Sequence, residues 1–206
     1  MNEPVDPVLL LRGDLDAAAG WVRTGLAAAD VASMPGGWVA IAPAGQNSQA
    51  APPYEDAADV LFGRALPRGL RPALGLRIVG DRLVVSLDLG GLWSRRGWLA
   101  WQPGTGLVRP GGLPVAAVDD LLEVAGVSGR HTLDAVVEVL HDGSGDAATA
   151  GASLLGALGL AAADGFGQTG WVGRLPGAER VEPREQDVAR FERAVRATHE
   201  QDERSR

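Results

Sequence analysis

From Leu74 to Leu89 the chain alternates. Leu74, Leu76 and Ile78 run into Gly80-Asp81, and Leu83, Val85, Leu87 and Leu89 run out of it at the same spacing of two. Period two marks a strand with one apolar face, and a two-residue, glycine-containing link between two such runs predicts a β-hairpin. A lone hairpin is marginal in water, so more strands, or helices, must cover that apolar face. The other face carries Arg77, Ser86 and Asp88, and is therefore half-solvated or packed against something polar. A further strand is predicted at Gly97 to Gln102, where Trp98 and Trp101 stand an odd number of positions apart and must point to opposite faces. At least one of these tryptophans leaves the main core, and either the rest of the chain or a partner covers it.

Upstream, Pro7 to Arg12 reads as a buried strand, Gly13-Asp14 as a turn and cap, and Leu15 to Val31 as a helix stopped by Met34-Pro35-Gly36-Gly37. Trp38 to Ala42 predicts a second strand. A polar loop through Gln46-Asn47-Ser48-Gln49 and Pro52-Pro53 leads to a helix over Tyr54 to Leu66, broken at Pro67. The opening order is β-α-β-α.

Pro103 to Pro114 is rich in Gly and Pro and marks a boundary, and the charge changes across it. Residues 1–112 hold ten Asp and Glu against ten Arg, whereas 113–206 hold sixteen against nine. Helices are predicted beyond it at Val115 to Ala125, His131 to Leu140, Ala147 to Ala163 and Pro183 to Glu200, with a glycine-rich stretch through Gly173. In the last helix Val188, Phe191 and Val195 form a narrow apolar stripe among Arg and Glu, suited to docking on the body or on a second copy. The expected fold class is α+β: a mixed or antiparallel sheet with helices in 1–112, then an acidic, mainly helical region in 113–206. The order helix, turn, helix, then hairpin over His131 to Pro176 makes a winged-helix-like arrangement one form that region can take.

Composition removes several chemistries. All nineteen basic residues are arginine and there is no cysteine, so Schiff-base and phosphate-loop lysines, thiol nucleophiles, thiolate metal sites and disulfides are excluded. The Ala, Gly, Val, Leu, Asp and Arg bias fits coding in a GC-rich bacterial genome. With an acidic start, Met-Asn-Glu-Pro-Val-Asp, where a signal peptide is basic then apolar, the expected location is cytoplasmic. The uncharged run Ala147 to Ala163 is only seventeen residues and rich in Ala and Gly. A membrane span needs ~20 predominantly apolar residues, so a buried helix is expected, with Ala152 and Gly156 as a small-xxx-small approach for another helix.

The motifs have plain structural readings. Gly165-Phe166-Gly167-Gln168-Thr169-Gly170 matches GxGxxG, but the strand before and the helix after that a nucleotide loop requires are missing, so it is read as a glycine turn. Asp142-Gly143-Ser144-Gly145-Asp146 begins like a calcium loop but has Ala147 and Ser153 where Gly and a bidentate Glu belong; Asp146 is read as a helix cap. His131, His141 and His199 are too dispersed for a shared metal, and His141 suits a helix C-terminus. No GxSxG or HExxH is present. Residues 113–180 carry three Arg against nine acids, which disfavours nucleic acid.

What remains points to contacts. Trp93, Arg95, Arg96, Trp98 and Trp101 combine the residue types enriched at interface hot spots, and Val188, Phe191 and Val195 form the docking stripe. Arg64, Arg68 and Arg71 make a further basic cluster. The expected function is a non-enzymatic protein-interaction or accessory role, with another protein or a second copy as partner, no membrane, no cofactor, no metal and no catalytic residue. Two alternatives stay open: a small cofactor-free hydrolase or transferase with a site built from separated residues, and nucleic-acid binding through the arginine patch.

Overall fold

A computed structural model describes residues 5–90 and 96–204. Its element order is β1 (Val8–Arg12), α1 (Leu15–Arg23), β2 (Ala29–Met34), β3 (Trp38–Pro43), α2 (Ala57–Gly63), β4 (Ala73–Val79), β5 (Arg82–Asp88), β6 (Arg96–Gln102), β7 (Gly106–Val108), α3 (Val118–Ala125), α4 (Arg130–His141), α5 (Ala147–Ala157), β8 (Glu179–Val181) and α6 (Glu185–Arg204). Among the described residues the strands form one eight-stranded sheet in the order β7-β6-β5-β4-β1-β3-β2-β8, and every ladder is antiparallel. The class is therefore α+β.

The alternating hairpin is β4–β5, joined by Gly80 at φ +64° and Asp81, with Leu74 opposite Leu87, Leu76 opposite Val85 and Ile78 opposite Leu83. Its apolar face meets α3, α4 and α5, and together with Leu10, Ala40, Leu99 and Trp101 it makes the larger core. The opposite side of the sheet buries Leu9, Leu11, Val31, Val39 and Ile41 under α1 and α2. Both helices start on carboxylate caps, Asp14 accepting from the Ala17 N–H at 3.1 Å and Asp56 from the Asp59 N–H at 2.7 Å.

The expected helix over Leu15 to Val31 is shorter than its sequence suggests: it ends at Arg23, and Ala29–Met34 is a strand. The helix is closed by the Thr24 and Gly25 N–H groups, which donate to the Trp21 and Val22 carbonyls at 3.3 and 2.8 Å, and a Cβ at Gly25 would lie 2.6 Å from the Arg64 guanidinium packed on this turn. The order at the start is thus β-α-β-β-α. The Tyr54–Leu66 helix is trimmed to α2, and the long Ala147–Ala163 helix ends at Ala157. In α5 the close approach is made by Gly151, against the ring of Phe166, rather than by Ala152 and Gly156. The stretch Gly165–Pro176, which a winged helix needs as a hairpin, holds turns and a 3-10 turn at Val172–Arg174. Gly167 and Gly170 make its turns, at φ +97° and +66°, while Gly165 serves packing, lying against the Trp171 ring. No helix of the described residues is long and apolar enough to cross a membrane.

Both sheet edges are short. β7 and β8 have three residues each, and the part of β6 beyond β7 is occupied by Pro114–Ala116: the Trp98 N–H donates to the Pro114 carbonyl and the Ala116 N–H to the Trp98 carbonyl, each at 2.9 Å.

Candidate functional site

Strand parity decides what each side of β4–β7 presents. On the side packed by α3, α4 and α5, Trp101 is 1 % exposed and its indole N–H donates to the Asp142 carbonyl at 2.8 Å. On the other side Val84 faces Ala100, Ser86 faces Trp98 and Ala100 faces Val108. Val84, Trp98 and Val108 are half-buried there; among the described residues α3, α4 and α5 pack on β5, β6 and β7 from the Trp101 side, and α2 reaches the border of the other side at Gly75 through Phe62. Val115, bridged to Trp98 in parallel, is 59 % exposed; Val79, at the end of β4, is 49 % exposed, and Leu113 beside this face is 44 % exposed.

The border between the covered and the open half of this side is laced by two arginines. Arg77 reaches Asp59 of α2 at 2.5 Å. Arg96 pairs with Asp88 at 2.8 Å and donates to the carbonyls of Phe62 and Arg64, at 3.0 and 3.2 Å, so it closes the C-terminal end of α2. Phe62 then lies over the sheet at Gly75, where a Cβ would come within 2.5 Å of the Ser86 hydroxyl and 3.0 Å of the ring. Of the five residues expected in the tryptophan segment, Trp98 is on the open face, Arg96 on its border and Trp101 in the core, while Trp93 and Arg95 lie outside the described residues.

The expected stripe of the last helix forms a second surface. Val188 is buried, and the Arg184 N–H donates to the Arg23 carbonyl at 2.8 Å, which fixes the first turn of α6 to the end of α1. Asp187 is buried and paired with Arg190. Phe191 stands edge-on to Tyr54, with ring centroids 4.9 Å apart and planes at 87°, and Val195 continues the stripe. These residues, with Ala51, Pro52, Glu192 and Arg196, line a notch of ≈ 380 Å³ between α6 and the loop before α2. Sequence reasoning missed Tyr54; the available signal was the chain's single tyrosine standing directly after Pro52-Pro53 in a polar loop. Arg64 is not a free surface cation: it stacks on Trp21 at 4.7 Å and donates to the Trp21 carbonyl and the Thr24 hydroxyl, and burial lowers its pKa against the opposing pull of Asp187.

A recess of ≈ 440 Å³ holds the carboxylates of Asp6, Asp30 and Asp56 beside Thr169 and Gly170. Asp56 caps α2, and Asp6 accepts from the Gly170 N–H at 2.5 Å. Asp30 has its carboxyl pushed up by burial, with Arg180 acting in the opposite sense. Gly173 packs so closely on Asp30 that a Cβ would sit 2.8 Å from its carboxylate. No histidine or serine lines this recess. Asp142 binds the Ser144 N–H and hydroxyl within its own loop, Asp146 caps α5 through the Thr149 N–H at 2.8 Å, and the described residues hold no group of three or more His, Asp or Glu placed to grip a metal ion. Set against models of known families, curated proteins and solved structures, the chain finds no match.

Proposed function

We propose that this chain is a non-enzymatic interaction or accessory protein that receives its partner on the open face around Trp98, with the Tyr54–Phe191 notch of α6 as a second surface. One observation carries the reading. Among the described residues the large apolar side chains left exposed are Tyr54, Val79, Leu113 and Val115, and each belongs to or borders one of these two surfaces. Scattered apolar exposure is ordinary, whereas apolar side chains gathered around a half-buried tryptophan are the usual make-up of a contact surface. A protein partner fits better than nucleic acid, because Arg77 and Arg96 are paired with Asp59 and Asp88, which leaves Arg82, bonded to Gln102, as a single cation on this face where phosphate binding calls for several. A winged-helix-like role for α3–α5 would be directed to protein for the same reason, since Arg130 stands among Asp119, Asp120, Glu123, Asp134 and Glu138. The absence of cysteine suits a cytoplasmic setting.

The test compares three tagged forms expressed in cells of the native host: the unaltered chain, Val115→Arg on the open face, and His131→Arg on the exposed start of α4. A stoichiometric species recovered with the first and third but lost with Val115→Arg is the expected result. Identical recovery from all three refutes the assignment of the open face.

A further inference from the structure

We infer that the groove between α3 and α4 receives a cationic amphipathic helix, a partner segment whose apolar stripe is flanked by lysine or arginine. The two helices pack on the Trp101 side of the sheet, so this inference stands or falls separately from the open face. They are joined through Gly126 at φ +69° and Gly129 at φ +110°, and between them runs a groove of ≈ 610 Å³. Its floor is apolar, made by Leu122, Val127 and Leu133. Its rims are acidic: Asp119 and Glu123 on α3, and Asp134 on α4, which Glu138 continues one turn further.

Other carboxylates of the chain have evident structural roles. Asp14, Asp56 and Asp146 cap helices, and Asp59, Asp88 and Asp187 pair with arginines. Among the described residues the side chains of Asp119, Glu123, Asp134 and Glu138 cap no helix, and no arginine, Arg130 at the loop end of the groove included, is within ion-pair distance of them. Asp119 gains from the first turn of α3, but Glu123 and Glu138 stand in the last turns of their helices, where the dipole disfavours an anion. Asp119 with Glu123, and Asp134 with Glu138, are like charges four residues apart, a spacing that sets them side by side and destabilises the helix that carries them. These repulsions flank an apolar floor on both sides. A helix laid along the groove relieves them together: basic side chains four residues apart match the rise of about 6 Å between the paired carboxylates of each rim, while its apolar stripe covers Leu122, Val127 and Leu133. The same rims repel nucleic acid and anionic lipid, and among the described residues no three carboxylates converge to hold a metal ion.

All nineteen basic residues are arginine, so apart from its N-terminus the chain offers a carbodiimide no amine, and amides formed with a lysine-bearing peptide mark the carboxylates in contact. The probe is a fluorescent synthetic peptide of Leu and Lys, about 14 residues long, with its leucines on one face at i, i+3, i+4 and i+7. At physiological salt its anisotropy with the full chain should give a Kd on the order of 10 µM, and mass spectrometry should place most amides on Asp119, Glu123, Asp134 and Glu138. Glu123→Arg combined with Asp134→Arg should weaken binding roughly tenfold or more. Asp81→Arg combined with Asp164→Arg removes the same charge at exposed positions away from the groove and should weaken it by less than about twofold. Amides scattered over the acidic surface, or equal weakening by both pairs of substitutions, would reduce the binding to general attraction and overturn the groove. Equal binding of a lysine-only peptide or of spermine would overturn the amphipathic helix as its occupant, because the apolar floor would then take no part. The cross-links are read on the unaltered chain, so they decide the matter even where a double variant fails to fold.

Discussion

One side of the sheet is two surfaces. Over β2, β3 and β1 it is roofed by α1 and α2 and buries Leu9, Leu11, Val31 and Ile41; over β5, β6 and β7 no helix among the described residues roofs it beyond the border at Phe62, and Val84, Trp98 and Val108 are half-buried. Both halves have the same antiparallel backbone, but β1 and β3 are apolar on both faces whereas β4 and β5 put Arg77, Ser86 and Asp88 on the second one. They differ in what lies between the strands, because the β1–α1–β2 and β3–α2–β4 connections carry helices long enough to turn back over the sheet, whereas β4–β5 is linked by two residues and β6–β7 by three. Turns of two and three residues cannot cover the strands they join, and at those turns the second face is left to solvent or to another molecule.

The sharpest way to break this comparison is the tryptophan pair on β6. Trp101→Ala should cost about 3–5 kcal/mol, the usual result of emptying a core site, and it also orphans the Asp142 carbonyl. Trp98→Ala, three residues away on the open side, should cost about 1 kcal/mol, because only part of its apolar area leaves water on folding. Urea unfolding of both variants decides it, and equal losses would mean that the Trp98 side is covered after all.

The border between the halves is tested at Gly75. Gly75→Ala drives a Cβ against the Ser86 hydroxyl and the Phe62 ring, at 2.5 and 3.0 Å, and should destabilise by about 1–3 kcal/mol through overpacking. Pairing it with Ser86→Ala should recover part of that loss, which thermal unfolding of the single and double variants can read. Full recovery would show that the hydroxyl, rather than Phe62, fixes how close α2 sits to the open half.

The smallest effects are electrostatic and differ in sign. Hydrogen bonds from Thr149 hold the Asp146 carboxyl below its ordinary value, so the folded state gains from its ionised form. That gain is complete above the unfolded pKa of about 4 and is lost as pH falls through the lower folded value. Asp146→Ala should therefore cost about 1 kcal/mol at neutral pH, the usual worth of a helix cap, and much less in acid. Asp30 runs the other way. Burial raises its carboxyl, so folding is favoured below the unfolded pKa and that advantage disappears as pH rises through the folded value. Asp30→Asn should be more favourable, relative to the unaltered chain, at neutral pH than at pH values below about 4. Stability curves measured across this range check both signs.

Much of the sheet was legible because period two and a glycine turn are local signals. The β4–β5 hairpin and the opposed tryptophans of β6 needed nothing beyond spacing. Ala29 to Val31 was misread as the end of a helix because the Ala-rich run leading into it satisfies helix propensity, and only pairing with β3 and β8 makes it a strand. Gly165–Gly170 is the turn its glycines suggested, with Gly167 at φ +97° and Gly170 at φ +66°, but nothing in the spacing announced that Gly165, like Gly151 in α5, lets an aromatic ring, Trp171 or Phe166, lie against the backbone. Within the candidate site the stripe of α6 was visible in its spacing. The inward role of Arg96 was not, since nothing near it in sequence announces the carbonyls of Phe62 and Arg64 that it closes.

The strand pairing most distant in sequence also sets a schedule for synthesis. β8 lies beside β2, Ala29 opposite Val181 and Val31 opposite Glu179, so the outer rim of β2 has no neighbour until the ribosome has released a segment about 150 residues further on. The nascent chain can assemble β1 to β7 early and must then wait with one apolar strand rim bare. Chaperone occupancy of translating complexes should peak in that interval and fall once Glu179–Val181 emerge.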